Sequence, residues 1–198
     1  MLHWRNGYDR RVDDRLLDAA VAVLEEYGHS GLTLERVAER VGRSRVTLWR
    51  QHVSQESLVD GLLARLTRDY RDAMWPSMAA PGTGATRLRS ALSALLDVAD
   101  RHLHLLGVSD DVFERAADRM RDITGQTFSF LDPIVAALRT GVGDGTLDPG
   151  DTTVEDAAAG AFAAVCWGYV HLRRRSGWAP ERARRALLEP TLAGLAAR

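Results

Sequence analysis

Three observations predict an all-α fold. Apolar residues recur every three or four positions along most of the 198 residues. Glycine, proline and cap-type residues interrupt these stretches at helix-length intervals, and no segment sustains the period-two alternation of a half-buried strand. About nine helices are expected, arranged as a three-helix helix-turn-helix domain over residues 1–54 and a larger helical domain over 55–198.

The first helix is expected from Asp14 to Tyr27, where Leu16, Leu17, Ala20, Val23, Leu24 and Tyr27 form one stripe. Asp13 and Asp14 suit its first turn, next to the positive end of the helix dipole. Gly28-His29-Ser30-Gly31 breaks the pattern. Thr33 is a good N-cap for a short helix with Leu34, Val37, Ala38 and Val41 inward, and Gly42 stops it. Ser44 can cap the next helix, Arg45 to about His52. Ser54 can cap a long fourth helix with Leu58, Leu62, Leu66, Tyr70 and Met74 at four-residue spacing, ended by Pro76.

After the loop at 79–84, a helix is expected from about Thr86 to Leu106, and another from Asp110 to about Asp122. In the segment from about Gln126 to Thr140, Pro133 should kink or restart the helix, because proline lacks a backbone donor. The stretch 141–150, with four glycines, is a turn. Two helices close the chain, Val154 to Arg175 and Pro180 to Ala197, the last bent by Pro190.

Composition narrows the function. Hydrophobic residues make up 45% and charged residues 27%, and the longest apolar runs are too short to span a bilayer. The N-terminal stretch lacks the apolar core of a signal peptide, and the lone Cys166 permits no internal disulfide. Both point to the cytoplasm. All 26 cationic residues are arginine, yet the net charge is −1. A nucleic-acid surface would therefore be a local patch of guanidinium groups.

Such a patch exists. Between Arg36 and His52 five arginines (Arg36, Arg40, Arg43, Arg45, Arg50) stand against one acid, Glu39. A short helix, a glycine turn and a second short helix are helix-turn-helix grammar, the second helix entering the major groove. On that second helix one face is expected to supply Val46 and Leu48 for packing, and the other to present Arg43, Arg45, Thr47, Trp49 and Arg50. Charge alone would fit a solvated basic helix equally well.

The order of residues goes further. Leu17-Asp18-Ala19-Ala20, Tyr27-Gly28, Gly31-Leu32-Thr33-Leu34, Val37-Ala38-Glu39-Arg40-Val41-Gly42, Ser44-Arg45-Val46-Thr47-Leu48-Trp49-Arg50 and Ser54-Gln55-Glu56-Ser57-Leu58 resemble the N-terminal domain of the TetR/AcrR family of regulators. The resemblance covers about a quarter of the chain. It implies a DNA-binding regulator with a divergent helical ligand domain, whose last two helices form a dimeric four-helix bundle. It also implies that Thr33 touches phosphate. Arg43, Arg45 and Thr47 are then the candidates for base edges, with Ser44 capping their helix, and Trp49, Arg50, Gln51 and Gln55 for backbone contacts. The chain departs from the family in four places, where Tyr, His, a buried Phe and a phosphate-binding Lys are usual at Trp49, Gln51, His52 and Gln55. Trp49, Gln51 and Gln55 still donate hydrogen bonds, but without a formal charge, which should weaken the salt-dependent part of binding. His52 is expected to reach solvent or to find a buried partner. Arg5, Arg10 and Arg11 form a tail or an arm along the groove.

In the second domain, Trp75, His102, Phe113, Phe128, Trp167 and Tyr169 are candidates for a ligand pocket, each of which also fits simple core. His102 and His104 lie two apart on a helix and point to opposite sides, and Cys166 and His171 are likewise ill placed, so no metal or other cofactor is expected. The penultimate helix carries the nearly charge-free run 157–165, and the last adds Leu187, Leu188, Leu192 and Leu195. Burial within one subunit and pairing with a second copy both satisfy this pattern, and the resemblance favours pairing.

The expected function is a homodimeric repressor that leaves a pseudo-palindromic operator when a small molecule binds. An activator remains open, as does a helical interaction module that has lost DNA binding. An all-α enzyme is disfavoured, since the sequence holds no phosphate loop, nucleophile elbow, H-E-x-x-H or di-iron motif.

Overall fold

In the computed structural model, which describes residues 12–107 and 129–197, the chain forms two compact units. The first contains residues up to Thr67 together with those just after Leu103, and the second contains Arg68–Leu103 and the remainder. The expected helix over 110–122, the arginines Arg5, Arg10 and Arg11, and the pocket candidates Phe113 and Phe128 lie outside the described residues.

In the first unit, helix α1 (Asp14–Tyr27) begins at Asp13, whose carboxylate accepts the Leu16 N–H at 2.9 Å. It buries Leu16, Leu17, Ala19, Ala20, Val23 and Leu24. A 3₁₀ turn (His29–Gly31) leads to α2 (Leu34–Arg40), capped by Thr33 Oγ1, which accepts the Arg36 N–H at 3.4 Å. Gly42 closes α2 at φ +69°, and the Arg43 N–H returns to the Ala38 carbonyl at 2.9 Å. A residue with a Cβ would be strained in that left-handed turn, which sets the angle between the two short helices. Helix α3 (Arg45–Arg50) is capped by Ser44, whose Oγ accepts the Thr47 N–H at 3.1 Å.

Helix α4 (Gln55–Ala79) starts from a reciprocal cap: Ser54 Oγ accepts the Ser57 N–H at 3.1 Å, and Ser57 Oγ accepts the Ser54 N–H at 2.9 Å. Its stripe of Leu58, Leu62, Leu66, Tyr70 and Met74 is buried. Pro76 does not end it, contrary to the sequence expectation. The helix continues to Ala79. The missing N–H would have bonded the carbonyl of Asp72, an exposed residue near the last turns, where water can satisfy that carbonyl instead.

In the second unit, α5 (Gly84–Arg101) is capped by Thr83. The single helix expected as far as Leu106 is broken at His102, and α6 (Leu103–Leu106) follows, its residues from His104 on belonging to the first unit. Helix α7 (Asp132–Asp144) restarts at Pro133, which falls at its N-terminal turn, where proline fits. Helices α5 and α7 meet through two glycines. A Cβ on Gly84 would lie 2.0 Å from the Gly141 nitrogen. Asp144 ties this crossing from the other side, accepting the Gly84 N–H at 2.7 Å and the Thr146 hydroxyl at 2.6 Å.

Helix α8 (Val154–Phe162) runs through a π-helical turn (Ala163–Trp167) into α9 (Gly168–Arg174), so the expected rod over 154–175 carries a widened turn at its middle. Helix α10 (Pro180–Leu195) retains Pro190 inside it. An isolated antiparallel bridge joins Leu147 to Ala196, and there is no β-strand among the described residues. No described helix is long and apolar enough to cross a membrane.

Candidate nucleic-acid interface

Helix α3 has only six residues and buries only Leu48 among them. Everything else on it is open to solvent. Val46, expected to pack beside Leu48, is 55% exposed. The reason is helical geometry. Residues two apart are rotated by about 200°, so a helix resting on Leu48 turns Val46 almost directly outward. Arg45, Thr47, Trp49 and Arg50 are all exposed, and Trp49 is 71% exposed.

His52 reaches solvent and adopts φ +58°, the one non-glycine residue with positive φ among the described residues. That turn lets the next residue, Val53, drop into the core, its N–H bonded to the Leu48 carbonyl at 3.0 Å. Gln51 and Gln55 flank the turn and are exposed.

The five arginines of the basic run divide into two groups. Arg36 lies 4.3 Å over the Tyr27 ring and donates to the Gly31 carbonyl at 2.8 Å, and Arg40 pairs with Glu26. The Tyr27 hydroxyl, and then Arg40, hold the Glu26 carboxyl below the ordinary carboxylate value. These two arginines consolidate α2 against α1. The other three surround α3. Arg43 sits 3.8 Å from Asp13, a distance that binds it loosely, and Arg50 forms no ion pair among the described residues.

Arg45 differs. Its guanidinium meets Glu35 of α2 at 2.7 Å, both groups being more than half exposed. Sequence reasoning missed this acid, which lies just before the basic run, because the pairing spans two helices. Ser44 and Thr47 hydroxyls lie 2.9 Å apart, so Thr47 is held by the cap. The Thr33 oxygen accepts its cap bond and leaves its O–H free to donate. The face therefore offers three guanidinium groups, an indole, two amides and hydroxyls around an apolar centre.

The pocket candidates of the second unit do not converge in this way. Trp75 is 39% exposed on α4. His102 is buried, with Nε2 2.9 Å from Asp69, whose same oxygen receives Arg101 at 3.3 Å. Trp167 is half-buried in the π turn. Tyr169 is fully buried and donates to Asp100 at 2.7 Å, an oxygen shared with Arg173 Nε at 3.1 Å. Burial, and then the Asp100 carboxylate, push the Tyr169 hydroxyl up to about 12, so it stays a donor at neutral pH. A surface hollow of about 580 Å³ is lined instead by Trp178, Ala179, Glu181, Arg182, Arg185 and Ala186, none of them a candidate.

Residues 16–62 match the family model of bacterial regulatory proteins, tetR family. Solved structures share the fold over nearly the whole chain. The ketosteroid transcriptional regulator KstR2 of Mycobacterium tuberculosis is 22% identical, with a TM-score of 0.69 over 94% of this chain and 96% of that one. SmeT, the repressor of the Stenotrophomonas maltophilia multidrug efflux pump SmeDEF, is 20% identical, with a TM-score of 0.63 over 94% and 92%, and has also been solved as a complex with triclosan. The fatty acid degradation regulator FadR of Bacillus halodurans is 15% identical, with a TM-score of 0.70 over 93% and 96%. A search of curated protein sequences returns no match.

Proposed function

We infer that the chain is a TetR-family regulator, a reading supported by the match of residues 16–62 to that family's model, and that it is a repressor released from a pseudo-palindromic operator by a small molecule. It is a DNA-binding transcriptional regulator. The observation that carries the finer reading is the outward face of α3, where Arg45, Thr47, Trp49 and Arg50 stand clear of the core around a single buried anchor, Leu48. Guanidinium groups suit bidentate contact with guanine or phosphate. Thr33, Gln51 and Gln55 ring that face and would position it on the backbone, Arg43 would reach a base edge beside Arg45 and Thr47, and Ser44 caps the helix that carries them.

A homodimer is proposed through α8, α9 and α10. Ala159 and Gly160 are exposed on α8, Ala163 and Ala164 on the π-helical turn that follows it, and Ala193 and Gly194 on α10. Apart from the backbone of its own helix and its chain neighbours, nothing among the described residues lies within 4 Å of where a Cβ on Gly160 or Gly194 would stand. Small residues with open space before them allow a second pair of helices to approach closely. Two subunits related by a two-fold axis would present two α3 helices to successive major grooves, roughly 34 Å apart or somewhat more.

The effector would bind in the second unit. Solved structures of similar fold include a ketosteroid transcriptional regulator and a repressor complexed with triclosan, and a small, largely apolar molecule is proposed here as well. Such a molecule releases DNA only if it binds the non-binding arrangement more tightly.

The test is an in vitro selection from random duplexes, followed by mobility shift and light scattering. Enrichment of an inverted repeat, binding that falls steeply with salt, and loss of binding in Arg45→Ala support the reading. A monomer at micromolar concentration, or no enriched sequence, overturns it.

A further inference from the structure

Val46 occupies a place on α3 that its residue type does not explain. It lies nearly opposite the buried Leu48, with Trp49 and Arg50 one turn further along the same side. At 55% exposure it makes no core contact of consequence, while β-branching gives it no advantage over alanine in so short a helix. Its neighbours are the charged and polar groups that suit a DNA groove. Its two methyl groups are the apolar centre of a face otherwise built to donate hydrogen bonds.

We propose that Val46 determines operator specificity by packing against the C5-methyl group of a thymine in the major groove of each half-site. This rests on the DNA-binding reading above. The major groove presents one apolar feature among its donors and acceptors, the thymine methyl, which distinguishes a T·A pair from the others by shape and desolvation. An arginine cannot use it, since desolvating a guanidinium against a methyl group gains nothing. A branched aliphatic side chain can. Arg45 and Arg50 on either side hold the helix to phosphates and guanines and so bring Val46 to the floor of the groove. Cytosine in the same position has only a hydrogen at C5 and carries an N4 amino donor where thymine has O4, so the two methyls of Val46 lose their apolar partner.

The experiment uses the full-length protein and the duplex enriched by selection. Each dT is replaced in turn by dU, which keeps base pairing and removes only the C5-methyl. One symmetry-related position is expected to weaken binding by about fourfold per half-site, the effect of uncovering one methyl-sized group. Val46→Ala should lose a similar factor on the dT duplex and bind the dU duplex equally well. Val46→Thr, which keeps one methyl, should retain an intermediate preference. Because Val46 is exposed, all three proteins should melt together, and that measurement separates a lost contact from a lost fold. Equal affinity for every dU duplex, or a dT preference unchanged in Val46→Ala, overturns the proposal and leaves the regulator reading standing. Failure of any sequence to enrich overturns both.

Discussion

Replacing Gly84 by alanine should destabilise the second unit, and the structure allows the size to be worked out. The new Cβ would lie 2.0 Å from the Gly141 nitrogen, 2.1 Å from its Cα and 2.8 Å from the Ala137 carbonyl oxygen. Carbon needs roughly 3.5 Å from such atoms, so the two helices must separate by about 1.5 Å. The obstructing atoms are backbone, so no side-chain rotation relieves the contact. Separation strains the layer made by Leu88, Ala91 and Leu92 of α5 with Ile134, Ala137 and Leu138 of α7, all buried. It also pulls the Gly84 N–H from Asp144 and the Ala85 N–H from Thr146, bonds of 2.7 and 3.1 Å. Overpacking costs about 1–3 kcal/mol and the two hydrogen bonds about 1 kcal/mol each, giving roughly 3–5 kcal/mol. For a chain of this length that lowers Tm by roughly 6–20 °C. Thermal melts followed by circular dichroism measure it. Gly143→Ala is the control, since nothing lies within 4 Å of its Cβ position and the residue is helical. It should be neutral or stabilising by up to about 1 kcal/mol. If Gly84→Ala melts within about 1 °C of the parent, the close-crossing argument is wrong.

Glu35→Gln should tighten operator binding severalfold by releasing Arg45 from an exposed pair worth about 0.2–1 kcal/mol per subunit, and weaker binding in a mobility shift would show that Glu35 instead orients Arg45. Leu48→Ala should cost about 2–5 kcal/mol in urea titration while Val46→Ala costs almost nothing, although both are apolar residues of one short helix. Cys166 is buried, and burial pushes its thiol up to about 12, so a disulfide reagent at pH 8 should leave it unmodified in the native protein and react fully in denaturant. The Thr146 hydroxyl, and next the Gly84 N–H, hold the Asp144 carboxyl below its usual 3.8. Its folded-state value being depressed, this carboxylate contributes stability above the unfolded value and loses it as pH falls through the folded one. Asp144→Asn should therefore flatten the acid end of the stability curve below about pH 4, and an unchanged acid limb would refute the role.

Local chemistry was legible because it acts over one turn of chain. The caps at Thr33, Ser44 and Ser54 and the left-handed turn at Gly42 depend on neighbours no more than five residues away. The long stripe from Leu58 to Met74 is repeated often enough for its period to name the buried side. On six-residue α3 the period cannot choose. Val46 and Leu48 are equally apolar, and which one faces inward depends on how α3 lies on the rest of its unit. The prolines show the same limit: Pro133 and Pro76 carry one chemistry, yet one opens a helix and the other is absorbed near the end of one.

The polar pairings were not legible at all. Arg45 with Glu35 and His102 with Asp69 join residues on different helices, the second across 33 positions. What the amino-acid order determined alone was the kind of protein: helices, their caps, a glycine hinge and a basic short helix, all set by interactions between near neighbours. What only tertiary packing decided was which atoms of that helix meet a partner. Burial is a property of surfaces brought together from distant parts of the chain, and no local pattern records it.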